Sequence, residues 1–184
     1  MKALRDQLGG GDRRSKGTAD AIAAEALDDP PLVAALVAAL DDPHELVRLR
    51  AADALEKASA ERAEILAPHA STLLGRPADL AQHDVRWHIA QMIPRLPLDK
   101  PQLARAVAVL RTTLVSESRV ARTMALDALV RLADRKRSLR PAARRAISAV
   151  RSRGSPAEQA RARILSKGRG WIDASRTPAA RRER

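Results

Sequence analysis

The chain has no cysteine, no phenylalanine and no tyrosine, and Trp87 and Trp171 are its only aromatic residues. Without cysteine, neither a disulfide framework nor a thiolate metal site can form. With two aromatics there is no platform on which the bases of a single nucleic-acid strand would stack in series. No run of about 18 apolar residues occurs, the length a helix needs to cross a bilayer. The opening stretch from Met1 to Gly11 also lacks the apolar core of a signal peptide. No Gly-x-Ser-x-Gly turn, Walker loop or dinucleotide fingerprint is present, so no catalytic residue is assigned. The histidines His44, His69, His83 and His88 do not suit a metal. His83 and His88 are five apart, roughly 140° around a helix, and no His-Glu-x-x-His pattern accompanies them. The expectation is a cytoplasmic protein that is not an enzyme, takes no cofactor or metal, and meets no membrane.

What fills the chain instead is alanine, leucine, valine and arginine. Apolar residues make up 45% of 184 positions, enough for one domain or one short array of repeats. Alanine and leucine are the strongest helix formers, and the sequence has few β-branched runs long enough for strands. An all-α fold follows.

The helices repeat. Val47 to Ala58 aligns without a gap on Val85 to Leu96 and on Ala121 to Leu132, at offsets of 38 and 36 residues. In each copy apolar side chains fall at i, i+4, i+7, i+8 and i+11. They are Val47, Ala51, Ala54, Leu55 and Ala58, then Val85, Ile89, Met92, Ile93 and Leu96, then Ala121, Ala125, Ala128, Leu129 and Leu132. At 100° per residue these positions form a stripe roughly 100° wide, the width of a core-facing side. A helical unit recurring at this interval buries its stripe only against its neighbours, which makes an α-solenoid.

The repeated helices are expected at 43–58, 83–96 and 118–134, alternating with less patterned helices at about 60–75, 100–114 and 139–152. A first helix is expected from about Ser15 to Leu27, a short buried one from Leu32 to Leu40, and a closing one at about 156–166. Asp28-Asp-Pro-Pro and Asp41-Asp-Pro-His-Glu read as helix starts, with Asp42 as cap and Pro43 in the first turn. Asp99-Lys-Pro-Gln and Ser155-Pro-Ala-Glu have the spacing of capping boxes. Pro94 should kink or end its helix. The expected division is a flexible arm over 1–14, repeats over 15–167 and a disordered basic tail over 168–184.

Asp42, Val47-Arg48 and Ala51 to Leu55, followed by Val85-Arg86 and Ala121-Arg122, make the chain resemble the HEAT repeat family over about residues 15–166. The acidic residue before the repeated helix is clear at Asp42 but not at Ser116, where Glu117 stands next to it. The resemblance implies a right-handed α-solenoid of about four HEAT-like helix pairs. It also implies a scaffold for other macromolecules, with the repeated helices lining a concave face.

Three sets of residues are candidates for binding. Leu49, Trp87 and Val130 project away from the stripe, and an exposed tryptophan among aliphatic neighbours has the composition of a protein-binding hot spot. The alternative is that Trp87 folds over Pro94 or a neighbouring helix. Arg48, Arg86 and Arg122 occupy equivalent positions, either to bind carboxylate or phosphate groups or to satisfy structural acids such as Asp42. A further ladder, Asp53, Gln91 and Asp127 followed by Lys57, Arg95 and Arg131, reads as helix-surface pairing. The third set is the basic end. Residues 135–184 hold 16 Lys and Arg against 3 Asp and Glu, whereas the preceding 134 hold 18 against 19. Arg137, Arg140, Arg144, Arg145, Arg151, Arg153, Arg161 and Arg163 are its polyanion candidates, and they would contact phosphates without reading bases. The leading expectation is a monomeric scaffold with a protein partner. The alternative is a partner that is a nucleic acid or another polyanion.

Overall fold

A computed structural model describes residues 2–10 and 18–173. Among these residues there is no strand, and the chain runs through α1 (Lys2–Gly9), α2 (Ala19–Glu25), α3 (Pro30–Ala39), α4 (Glu45–Glu61), α5 (Ala70–Leu73), α6 (Arg76–Asp79), α7 (His83–Met92), α8 (Lys100–Thr113), α9 (Arg119–Arg135), α10 (Arg140–Arg153), α11 (Pro156–Ser166) and α12 (Gly170–Asp173). Tighter 3₁₀ turns occupy Ala63–His69, Ile93–Arg95 and Arg137–Leu139. All fifteen stripe positions of the three repeated helices are buried. The period of the apolar residues therefore fixes which side of α4, α7 and α9 enters the core.

Proline accounts for two departures from the expected boundaries. Pro94 withholds a backbone donor, so α7 stops at Met92 and gives way to the 3₁₀ turn. Pro68 does the same to the helix expected over 60–75, which becomes the 3₁₀ turn Ala63–His69 followed by α5 and α6. The short α3 is buried along one side only: Val33, Leu36 and Val37 are enclosed, while Ala34 and Ala38 are exposed.

The capping signals divide in the same way. Asp99 with Gln102 and Ser155 with Glu158 form reciprocal boxes at the starts of α8 and α11. Asp29, rather than Asp28, caps α3 by accepting from Leu32 N at 3.0 Å. Asp42 does not cap α4. Its Oδ1 accepts from His44 N two residues on (2.8 Å), a turn of the kind short acidic side chains favour, and α4 begins at Glu45. Partial burial would raise the Asp42 carboxyl, but the His44 N–H and the Arg5 guanidinium outweigh it and hold it below its ordinary value.

The chain forms two compact units, residues 1–128 and 129–184. In the first, α4 is the hub and packs against α1, α2, α3 and α7. Its basic side chains tie down the elements that precede it. Arg50, buried on the inner side of α4, donates to the carbonyl oxygens of Leu8 (2.8 Å) and Gly10 at the end of α1. Arg62 donates to Leu27 O and Asp28 at the end of α2. Lys57 joins Asp20 of α2 to its own neighbour Asp53; burial alone would lower its ammonium, yet the two carboxylates hold it above its ordinary value. The expected flexible arm is therefore wrong for residues 2–10. Leu8 is fully buried, worth roughly 1.5–3 kcal/mol, and a guanidinium satisfies the carbonyls that the helix end leaves open. Residues 11–17 lie outside the described residues.

In the second unit, α10 and α11 form a hairpin about Gly154. A Cβ at Gly154 would lie 2.6 Å from Val150 O and 3.2 Å from the Glu158 Cβ, so only glycine lets the chain turn this close to the helix it leaves. Gly168, with φ of 72°, then reverses the chain in a conformation costly for other residues. The segment that follows returns to α10. Trp171 donates from Nε1 to Asp134 Oδ1 (3.0 Å), Arg169 pairs with the same carboxylate (2.9 Å), and Ile172 is buried. Composition assigns 168–173 to a disordered tail, and the structure corrects this. One indole, one buried isoleucine and paired charges hold a segment too short to show periodicity. Residues 174–184 lie outside the described residues.

Candidate functional site

Leu49 on α4 and Trp87 on α7 remain part-exposed in the first unit. Leu49 lines a depression of 160 Å³ together with His44, Glu45, Leu46 and Gln82. Its lining mixes two leucines with polar residues, and it is about the size of one side chain. The Trp87 ring meets the His88 imidazole edge-on at 5.0 Å, with its Nε1 buried and without a hydrogen-bond partner among the described residues. What Trp87 presents outward is therefore ring carbon. Val130 corrects the third expected member. It is 0% exposed, because Leu126, Val130 and Ala133 are buried beside the stripe of α9 and widen its buried arc. It cannot line an open face.

The arginine ladder resolves into closures of turns. Arg48 donates to Asp42 O (2.7 Å) and Pro43 O (2.9 Å), six and five residues back, and from Nε to Gln82 Oε1 (2.8 Å). Arg122 repeats the arrangement on Ser116 O (2.7 Å) and Glu117 O (3.1 Å). Arg86 instead reaches Thr113 Oγ1 at 3.3 Å, and its Nε is buried without a partner. The acid expected beside Arg48, Asp42, offers its carbonyl to that guanidinium and its carboxylate to Arg5 (2.8 Å). Gln82 was not singled out by pattern, yet it links α4 to α7 by accepting from Arg48 and donating to Glu45 O (3.0 Å). Its one sequence signal is its place 38 residues after His44, directly before the repeated helix.

Below this face His88 is 7% exposed, with Nδ1 lacking a partner among the described residues. Desolvation pushes its pKa below the ordinary histidine value, against the pull of Asp53, Glu56 and Asp84, while Lys57 adds to the lowering. Arg95 shows what the surface-pairing reading of its ladder missed. It crosses to the preceding repeat and binds Glu56 Oε1 (2.6 Å), Glu56 O (2.6 Å) and Ser59 Oγ (2.8 Å). Among the described residues no group of three or more His, Asp and Glu is placed to hold a metal ion, and no helix is long and apolar enough to cross a membrane.

The basic candidates of the second unit separate into two classes. Arg140 stacks over the Trp171 ring at 5.3 Å, Arg144 donates to Trp171 O (3.3 Å), and Arg151 pairs with Asp173 (3.0 Å). These three are consumed in fixing α12 on α10. Arg161 is half-buried. Arg137, Arg145, Arg153 and Arg163 are exposed and form no ion pair with a described residue.

Among solved structures the chain is similar to a designed armadillo repeat protein in complex with the peptide (KR)4. The TM-score is 0.58 at 20% sequence identity, over 88% of this chain and 78% of that one. No protein-family model matches the chain, and no curated protein matches it. Together with the helical alternation, the likeness defines the class of fold: an all-α solenoid of helical repeats.

Proposed function

We propose that the protein is a non-enzymatic scaffold of HEAT-type repeats that binds a segment of another protein on the face shared by α4 and α7. The observation that carries the reading is the depression beside Leu49. It combines Leu46 and Leu49 with His44, Glu45 and Gln82 in its lining, a composition suited to an anchoring side chain. Trp87 adds exposed ring carbon, and Asp53, Glu56 and Asp84 act electrostatically on His88 beneath it. The similar designed protein is in complex with the basic peptide (KR)4, and a partner segment with Lys or Arg side chains is the one we propose for this face. Arg48 and Arg122 are engaged with the carbonyls of their own turns and Arg86 with Thr113, so the reading assigns none of them to the partner.

The test compares immobilised wild-type protein with Leu49→Ala and Trp87→Ala, each first shown to be folded by circular dichroism. Captured proteins are identified by mass spectrometry, and labelled (KR)4 is titrated in parallel. Loss of a captured protein in both variants is expected. Retention of every captured protein by both variants, with unchanged peptide binding, would overturn the reading.

A further inference from the structure

We infer that the second unit carries a separate interaction surface, on the outer side of α10 and α11, for the phosphodiester backbone of nucleic acid. The inference goes beyond the protein-binding reading and rests on residues which that reading does not use. Between positions 129 and 173 there are 13 Lys and Arg against 3 Asp and Glu. All three acids are occupied within the unit: Asp134 by Arg169 and Trp171, Asp173 by Arg151, and Glu158 in the buried capping box with Ser155. The exposed guanidinium groups of Arg137, Arg145, Arg153 and Arg163 are left without a counter-charge among the described residues. Such a set attracts an anion.

The chemistry of the surface distinguishes among polyanions. Arg145, Ser148 and Ser152 are all exposed and fall within about 60° of one another on α10. Arg145 and Arg153 stand about 12 Å apart along the axis, a distance that follows a strand over several phosphates. Cations and small hydroxyls are the groups that hold a phosphate backbone, and of the 13 basic residues only Lys136 and Lys167 are not arginine. The arginine fork matches phosphate oxygens in pairs. A protein partner would want a desolvated apolar anchor, and a bilayer would want an apolar face to insert. The outer side of α10 offers neither, and on α11 the exposed large apolar side chain among the described residues is Ile164 alone, too little for either. Base stacking is not served either, since Trp171 is engaged by Asp134 and Arg140. The surface therefore binds duplex without regard to sequence.

The experiment uses the full chain and a random-sequence DNA duplex of about 30 base pairs, followed by fluorescence anisotropy over a salt series. The double variant Arg145→Ala/Arg153→Ala, which removes two positive charges, is compared with Arg111→Ala/Arg119→Ala, which removes the same charge from exposed positions in the first unit. Wild type should bind two unrelated duplexes equally and weaken steeply with salt. The first double variant should make the slope of log K against log salt shallower by about two, and the second should leave it unchanged. The inference is overturned if the duplex does not bind or if both variants weaken it equally, which would mark a diffuse charge effect. It is also overturned if anionic phospholipid vesicles or polyglutamate bind as tightly as the duplex at the same salt.

Discussion

Shortening Leu8 to alanine tests whether α1 belongs to the folded first unit. The side chain is fully enclosed and lies beside the carbonyls that Arg50 binds. Three carbons are lost, and at about 0.8 kcal/mol per buried methylene the transfer term alone is roughly 2.4 kcal/mol. A rigid core would add a cavity term, but a terminal helix can lift away, so the cost is limited to the free energy of docking α1. An overall loss of about 2–3 kcal/mol is expected, read from urea unfolding. Hydrogen exchange should report faster exchange over residues 2–10, and little change over α10 and α11. Arg50→Met removes the other half of the attachment, and bonds to a charged donor are worth about 1.5–3 kcal/mol each. Both changes act through the same docking event, so Leu8→Ala/Arg50→Met should cost clearly less than the sum of the single variants. A loss below about 0.5 kcal/mol for Leu8→Ala, with unchanged exchange over 2–10, would refute the docking of α1.

Three further outcomes are expected. His88 has a depressed pKa in the folded state, so its contribution is intact above the ordinary histidine value of 6.5 and is lost as pH falls below it. Between pH 7 and 5 wild type should lose stability relative to His88→Gln, at no more than about 1.4 kcal/mol per pH unit, and a gain would contradict the buried neutral imidazole. Gly154→Ala should destabilise the second unit by about 1–3 kcal/mol in thermal unfolding, since the new methyl meets Val150 O; a neutral result would mean that the α10–α11 turn is wrongly described. Asp134→Ala removes the acceptor shared by Arg169 and Trp171. Trp171 emission should shift to the red and proteolysis after Arg169 should accelerate, and unchanged emission would count against the docked α12.

Features set by local chemistry were legible in the sequence. The stripe of α4, the capping boxes at Asp99 and Ser155, and the break at Pro94 each depend on residues within a few positions of one another. Features that depend on what arrives from elsewhere were not. Arg50 belongs to a residue type that is normally solvated, and the carbonyls of Leu8 and Gly10, which arrive from a distant helix, help make its burial tolerable. Val130 sits one residue beyond the stripe and is buried with Leu126 and Ala133 on the flank of α9. Residues 169–173 are too few to show a period, and their hold on α9 and α10 is written in pairings with Asp134, Arg140, Arg144 and Arg151. For the candidate face, Leu49 and Trp87 could be picked out by register, whereas the depression beside Leu49 needed Gln82, which is marked only by its place before the repeated helix.

The partners of Arg48 and Arg122 explain an irregularity among the repeats. Both guanidiniums close their turns on main-chain oxygens, Asp42 O and Pro43 O in one repeat and Ser116 O and Glu117 O in the other. Every residue type supplies a carbonyl, and a carbonyl does not titrate. The two turns can therefore drift apart in sequence while the lock stays the same. An Asp-Pro turn and a Ser-Glu turn become interchangeable spellings, provided the arginine six residues after the first of them is kept.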